Sequence, residues 1–347
     1  MTVHPSGRLA MAGAACAIVA VVATMAVPAA RAPAATNPER SVTGTDRPAR
    51  DHWVARGPYR IFAREYPGRD PALVLLHGFP DNHHLYDALV PRLRGRHVVT
   101  FDFLGWGSSD RPQRHRYTFA AQEADLDAVI EGLGLQRVDL VAHDAGLPSA
   151  VNWALDHPER TASLTLMNGF YAPSPTLRPP PLIALLQLGH LPPGFPLGAL
   201  PPDFASSLAA LGREITSVPA VFKRIFFWQE RHFFARRRDA VRFTPRFARQ
   251  FTGAQSSIVP LRSLAADAIA AVGANAGRLP ALAAAPFPVH LIWGAHDPDL
   301  NVGVAEALRD SLPGAELDVL PGAHHNLQID EPTALARLLR RPVSPPS

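Results

Sequence analysis

Val138-Asp139-Leu140-Val141-Ala142-His143-Asp144-Ala145-Gly146-Leu147-Pro148 decides how this chain is read. Its first five residues form a short apolar run of the kind that builds a buried strand. Pro148 opens a helical stretch over 148–157, at a position where a missing N–H costs nothing. Between the two lies Ala142-His143-Asp144-Ala145-Gly146, a small-x-acid-x-small pattern at a strand-to-helix turn. A turn that sharp admits only small neighbours and exposes the side chain at its centre, here Asp144. The plainer reading is an Asp that caps the helix, because its carboxylate can accept from first-turn N–H groups.

Working outward, the same kind of apolar run recurs over 72–76, 97–103, 163–167, 289–293 and Glu316–Leu320. Helical patterns alternate with these runs over 85–93, 119–133, 148–157 and 303–312. That rhythm predicts an α/β protein with a mostly parallel, doubly wound sheet covered on both faces. Residues 172–252 break it. They open Pro-rich (APSPTLRPPP, then LPPGFP) and continue Phe- and Arg-rich without a strand signal. This predicts an inserted helical cap, or lid, between a first core part over 51–171 and a second over 253–347.

Three further stretches stand at strand ends, in chain order. His77-Gly78-Phe79-Pro80 follows the run over 72–76, where the plain reading is a Gly-Pro turn. Trp293-Gly294-Ala295-His296-Asp297 follows the run over 289–293; Asp297 is the candidate acid and Asp299 its reserve. Gly322-Ala323-His324-His325-Asn326 follows Glu316–Leu320; His325 is the candidate base and His324 the alternative. Nucleophile, acid, then His is the order in which a triad is laid out on a doubly wound sheet of this kind.

With these pieces the sequence resembles the α/β-hydrolases that use an Asp nucleophile, the haloalkane dehalogenases and soluble epoxide hydrolases. The resemblance covers about residues 55–340. It is carried by LHGFP, FDFLGWGSSDRP, LVAHDAG, LTLMNG, WGAHDP and GAHHNLQIDEP. It implies the α/β-hydrolase fold and a catalytic set of Asp144, Asp297 and His325. It also implies an oxyanion hole made by the N–H groups of Phe79 and Ala145. A carboxylate nucleophile suits a saturated carbon, because attack on an acyl carbon would give a high-energy anhydride. Asp144 would form an ester with the substrate, and His325, oriented by Asp297, would activate water to hydrolyse it.

The pattern departs where each family holds its leaving group. Dehalogenases carry Trp directly after the nucleophile, and fluoroacetate dehalogenases carry Arg; this chain has Ala145. Phe79 stands where dehalogenases often place a polar halide holder. Epoxide hydrolases use lid Tyr residues, and residues 172–252 contain no Tyr. Tyr171 and Trp228 are the candidate leaving-group contacts, with His190 and His232 behind them. The resemblance implies a small lipophilic substrate, a haloalkane or an epoxide, with the leaving group left open. The alternatives are an ester or lactone hydrolase on the same fold, or a non-catalytic relative.

Composition narrows the partners. The 347 residues carry a formal charge of +4, spread through the chain, which does not suggest nucleic acid. One Cys, Cys16, excludes a disulfide framework and a Cys-built metal site. No cofactor or metal is called for; the partners are a small-molecule substrate and water. Residues 1–35 read as an export signal, with Arg8 before an apolar stretch over 9–27 and A-x-A-like sites at 30–32 and 32–34. Residues 36–50 read as a linker. The expectation is a secreted or extracytoplasmic protein; the alternative is an uncleaved anchor giving weak membrane association. The lid's Lys223 and its many Arg read as a solvated face or as a contact for anionic lipid. Phe222, Phe226, Phe227, Trp228, Phe233 and Phe234 read as pocket and lid core.

Overall fold

The computed structural model describes residues 48–180, 183, 184, 186, 219–253 and 256–341. The expected export segment, most of the expected linker, His190, much of the expected cap and the Lys223 side chain lie outside the described residues.

Eight strands form one sheet in the order β1-β2-β4-β3-β5-β6-β7-β8. They are β1 Arg50–Arg56, β2 Tyr59–Tyr66, β3 Arg69–Leu76, β4 Arg96–Phe101, β5 Val138–His143, β6 Thr161–Met167, β7 Val289–Gly294 and β8 Glu316–Leu320. From β4 through β8 every neighbouring pair is parallel. The inner strands read as continuous apolar runs because both of their faces are covered; residues 72–76 are all buried. Parallel pairing brings the carboxyl ends of these strands to one edge, where this topology places its working loops.

β1 and β2 are an antiparallel hairpin at the sheet edge, turned by Gly57 at φ +58°. Sequence reading assigned no strand here and left Arg50 in the linker. The segments RDHWVAR and YRIFAREY are rich in charge and bury few positions in β1, so neither presents an apolar run. The helix expected over 85–93 is instead two 3₁₀ turns, His83–Tyr86 and Val90–Arg92. Pro91 interrupts it: its ring lacks an N–H and collides with the carbonyl four residues earlier.

The described helices are α1 Phe119–Gly132, α2 Leu147–Asp156, α3 Pro219–Glu230, α4 Arg237–Ala248, α5 Ile258–Ala276, α6 Leu279–Ala283, α7 Val302–Asp310, α8 Leu327–Asp330 and α9 Pro332–Leu338. Thr118 caps α1 by accepting the Ala121 N–H, and Asn301 caps α7 through the Gly303 N–H.

α3, α4 and the turn Arg231–Phe233 belong to the inserted cap. Phe222, Phe226, Phe233, Phe234, Phe243, Phe247 and Phe251 are buried there. Phe251 packs its ring 4.7 Å from Phe222 and 5.3 Å from Phe226. Such contacts add to the area they remove from water and tie α3 to the segment after α4. Phe227, expected in this core, is instead 40% exposed. Some cap arginines are tied to the core: Arg246 pairs with Asp87 at 2.6 Å, and Arg236 donates to the Asp330 carbonyl at 2.8 Å. Among the described residues no helix is long and apolar enough to cross a membrane.

Candidate active site

Asp144 follows the last residue of β5 with φ +49°, one of two non-glycine residues in the left-handed region among the described residues. That conformation is uncommon and strained for a residue with a Cβ, and it holds the carboxyl away from the regular turn. Asp144 is buried, and Oδ2 accepts the Phe79 N–H at 3.1 Å. The neighbouring Ala145 N–H also helps to lower the carboxyl's pKa. Of the two donors named from the sequence, the Phe79 N–H is thus hydrogen-bonded to Asp144 itself. Gly78 makes the approach possible, since a Cβ there would collide with the Asp144 carboxyl. Burial pushes the Asp144 carboxyl up, while the His325 charge and the two N–H groups work to lower it.

His325 comes from the loop after β8, and Asp297 from the loop after β7. His325 Nδ1 donates to Asp297 Oδ2 at 2.7 Å, and both are buried. Asp297 Oδ1 accepts the N–H groups of Asp299 and Leu300 at 3.0 and 2.9 Å. Asp297 thus carries the ion pair, and Asp299 contributes only its backbone to it. Burial tends to raise Asp297, but His325 and these donors hold it below the usual carboxylate range. Burial would lower the His325 imidazole; Asp297, Asp144 and Asp81 outweigh it and raise it to about 10. His325 is therefore an imidazolium in the resting site.

Two neighbours of the triad escaped the sequence reading. Asn168, at φ +36° just after β6, donates Nδ2 to Asp297 Oδ2 at 2.6 Å and accepts the Gly294 N–H at 2.8 Å. The LTLMNG motif was visible, but nothing in it said that its Asn reaches across to the next strand. His143 is fully buried; Nε2 donates to the His325 carbonyl at 2.9 Å, and its ring lies 4.6 Å from the His325 ring. Burial pushes His143 well below the ordinary imidazole value, so it is neutral.

The two candidate leaving-group contacts have other partners among the described residues. Tyr171 is 1% exposed, and its hydroxyl donates to Asn152 Oδ1 at 2.9 Å, on α2. The buried hydroxyl took the nearest amide, which draws the ring onto α2. Trp228 packs 5.1 Å from the exposed His232, whose Nδ1 bonds the Trp228 carbonyl. Trp228 and Glu230 lie two residues apart on α3, about 200° around the helix axis, so they face opposite ways. Glu230 is the buried one, at 2%. His324, the alternative base, stacks at 5.4 Å on His296 and makes no bond to Asp297.

The family profile described as the alpha/beta hydrolase fold matches residues 71–332. The chain belongs to that family. As an α/β-hydrolase it is 37% identical over 94 residues to LipZ of Mycobacterium tuberculosis, provisionally a hydrolase, covering 27% of this chain and 33% of that protein. It is 38% identical over 106 residues to a fluoroacetate dehalogenase of a Burkholderia species, covering 29% and 35%. It is 42% identical over 81 residues to RutD of Caulobacter vibrioides, provisionally a carbamate hydrolase, covering 23% and 30%. The matches thus span about a third of each of these relatives' lengths, 33%, 35% and 30%. Among solved structures, 2-hydroxy-6-oxo-6-phenylhexa-2,4-dienoate hydrolase of a Rhodococcus species superposes with TM-score 0.67 at 17% identity, over 84% of this chain and 97% of that one. At that identity the likeness concerns the fold alone.

Proposed function

We propose that this α/β-hydrolase works through a covalent ester on Asp144, formed with a small lipophilic substrate at a saturated carbon. The observation that carries this reading is the direction of the oxyanion donors. In acyl transfer by a separate nucleophile, the two N–H groups must face a vacant position where the substrate's carbonyl oxygen will sit. Here the Phe79 N–H is bonded to the Asp144 carboxyl at 3.1 Å. That is the right place when the carbonyl to be attacked by water is the one on Asp144 itself.

The steps follow from the charges. Asp144 attacks carbon, the carbon–leaving-group bond breaks, and an ester forms. Esterification removes one of the carboxylates that hold His325 protonated. The imidazole is then released toward its neutral, basic form. His325 takes a proton from water, hydroxide adds to the ester carbonyl, and the charge develops at the Phe79 and Ala145 N–H groups. Collapse returns the Asp144 carboxyl and the alcohol.

A second reading, an ester or carbamate hydrolase with Asp144 as base, is favoured by RutD among the relatives matched. One experiment separates the two. A His325→Gln variant incubated with phenethyl bromide or styrene oxide should accumulate a mass adduct on the peptide containing Asp144. Turnover of an aryl ester by Asp144-dependent chemistry, with no adduct from either alkylating substrate, would establish the second reading instead. Export directed by residues 1–35 is part of the same proposal; processing between residues 30 and 36 would be seen by amino-terminal sequencing of the protein recovered from outside the cell.

A further inference from the structure

Four buried carboxyls and one imidazole act electrostatically on one another here. They are Asp81, Asp144, Glu230, Asp297 and His325, between 2% and 8% exposed. Asp81 lies two residues after Phe79. Glu230 ends α3, and the next turn, Arg231–Phe233, clamps it to the catalytic loop. Phe233 sets its ring 4.6 Å from His325, and its carbonyl accepts the Asn326 N–H at 3.0 Å. Four negative charges against one positive cannot all be held away from water. The donors decide which acids ionise. Asp297 receives three N–H groups besides His325, and Asp144 receives that of Phe79. Among the described residues the carboxyls of Asp81 and Glu230 receive none.

We propose that Glu230, backed by Asp81, is the acid that protonates an oxygen leaving group, so that the substrate class is the epoxide rather than the halide. This rests on the aspartyl-ester reading and deepens it. Burial pushes the Glu230 carboxyl well above its ordinary range, with the charges of Asp81 and Asp144 adding to the effect, and burial and Asp144 raise Asp81 to about 7. A neutral carboxyl is a hydrogen-bond donor, which a carboxylate is not. Glu230 ends α3 of the cap, three residues before the Phe233 ring that lies 4.6 Å from His325. A halide leaves without a proton. An alkoxide needs one.

The proton balance closes within the cluster. Asp144 bonds the epoxide carbon, the ring C–O bond breaks, and its electron pair takes the Glu230 proton, leaving a hydroxyl ester and a Glu230 carboxylate. The His325 imidazolium returns a proton to Glu230 and becomes the neutral base. His325 then takes a proton from water as hydroxide adds to the ester. Collapse frees the second alkoxide, which takes the proton of the regenerated Asp144 acid. The site ends as it began, and epoxide plus water has become diol.

The test uses the full-length chain with styrene oxide and phenethyl bromide, which share a carbon skeleton. Ester formation on Asp144 is followed by quenched-flow mass spectrometry in wild type, Glu230→Gln and Glu230→Asp, each checked for native circular dichroism. Glu230→Gln should lower the epoxide-to-bromide rate ratio by about a hundredfold or more, and Glu230→Asp should recover part of it. An unchanged ratio in folded Glu230→Gln overturns the assignment, as does wild type that takes the bromide and not the epoxide; either leaves the aspartyl ester standing. Wild type that forms no ester from either probe overturns the ester reading and this inference with it.

Discussion

Asn168 Nδ2 donates to Asp297 Oδ2 at 2.6 Å, the same oxygen that His325 Nδ1 reaches at 2.7 Å. The carboxylate is thus held from β6 while it holds the imidazole. Asn168→Ala should leave that oxygen short of one buried donor and free the Gly294 N–H. Removing a hydrogen bond to a charged group costs about 1.5–3 kcal/mol. The expected result is ester hydrolysis slowed about ten- to a hundredfold, with ester formation affected less. Single-turnover kinetics on the two steps checks this; equal loss in both steps would argue against an anchoring role.

Asp144 and His325 are electrically linked. The Asp144 carboxylate helps raise His325 to about 10, so Asp144→Asn should lower the His325 value. The sign follows from charge: a neutral amide no longer favours the imidazolium. Proton NMR titration of the His325 ring in both proteins measures it. No shift would mean that the two groups are not neighbours in solution.

Gly78 has no room for a side chain, because a Cβ would meet the Asp144 carboxyl. Gly78→Ala must displace either the Phe79 loop or Asp144. Overpacking of this kind costs about 1–3 kcal/mol of stability. Loss of alignment should lower ester formation by about a hundredfold or more. Thermal unfolding and adduct formation, measured together, check both effects. Full activity in the variant would remove the two N–H donors from the scheme.

Away from the site, His83 Nδ1 bonds Asp102 Oδ2 at 2.8 Å, with both side chains buried. Burial tends to raise the Asp102 carboxyl, but the charge and hydrogen bond of His83 hold it down at about 2. The unfolded value is about 3.9. The native state therefore binds fewer protons than the unfolded state in this window. The contribution is fully present above about pH 4 and is lost as pH falls toward about 2. Asp102→Asn should be less stable at neutral pH and should show a flatter stability profile between those values, measured by urea melts. An unaltered acid slope would exclude the pair as its source.

The amino-acid order made the inner sheet legible because strands covered on both faces must be continuously apolar. The run ending at Leu76 and the segment Glu316–Leu320 end where the structure ends them. The hairpin of β1 and β2 was hidden because an edge with one wet face keeps its charge. The 3₁₀ turns around Pro91 were read as one helix because apolar spacing spoke louder than a single ring without an N–H.

At the candidate site, the residue types and their chain order were readable in Asp144, Asp297 and His325, since a sharp turn demands small neighbours and leaves a motif. Three-dimensional packing alone decided the rest. It turned the Tyr171 hydroxyl to Asn152, packed Trp228 against His232, and brought Asn168 to Asp297. It also buried Glu230 and Asp81 with no N–H donor to their carboxyls among the described residues. A carboxyl far along the chain looks like any surface acid in the sequence. Only the fold, by removing water and withholding N–H groups, pushes its pKa up.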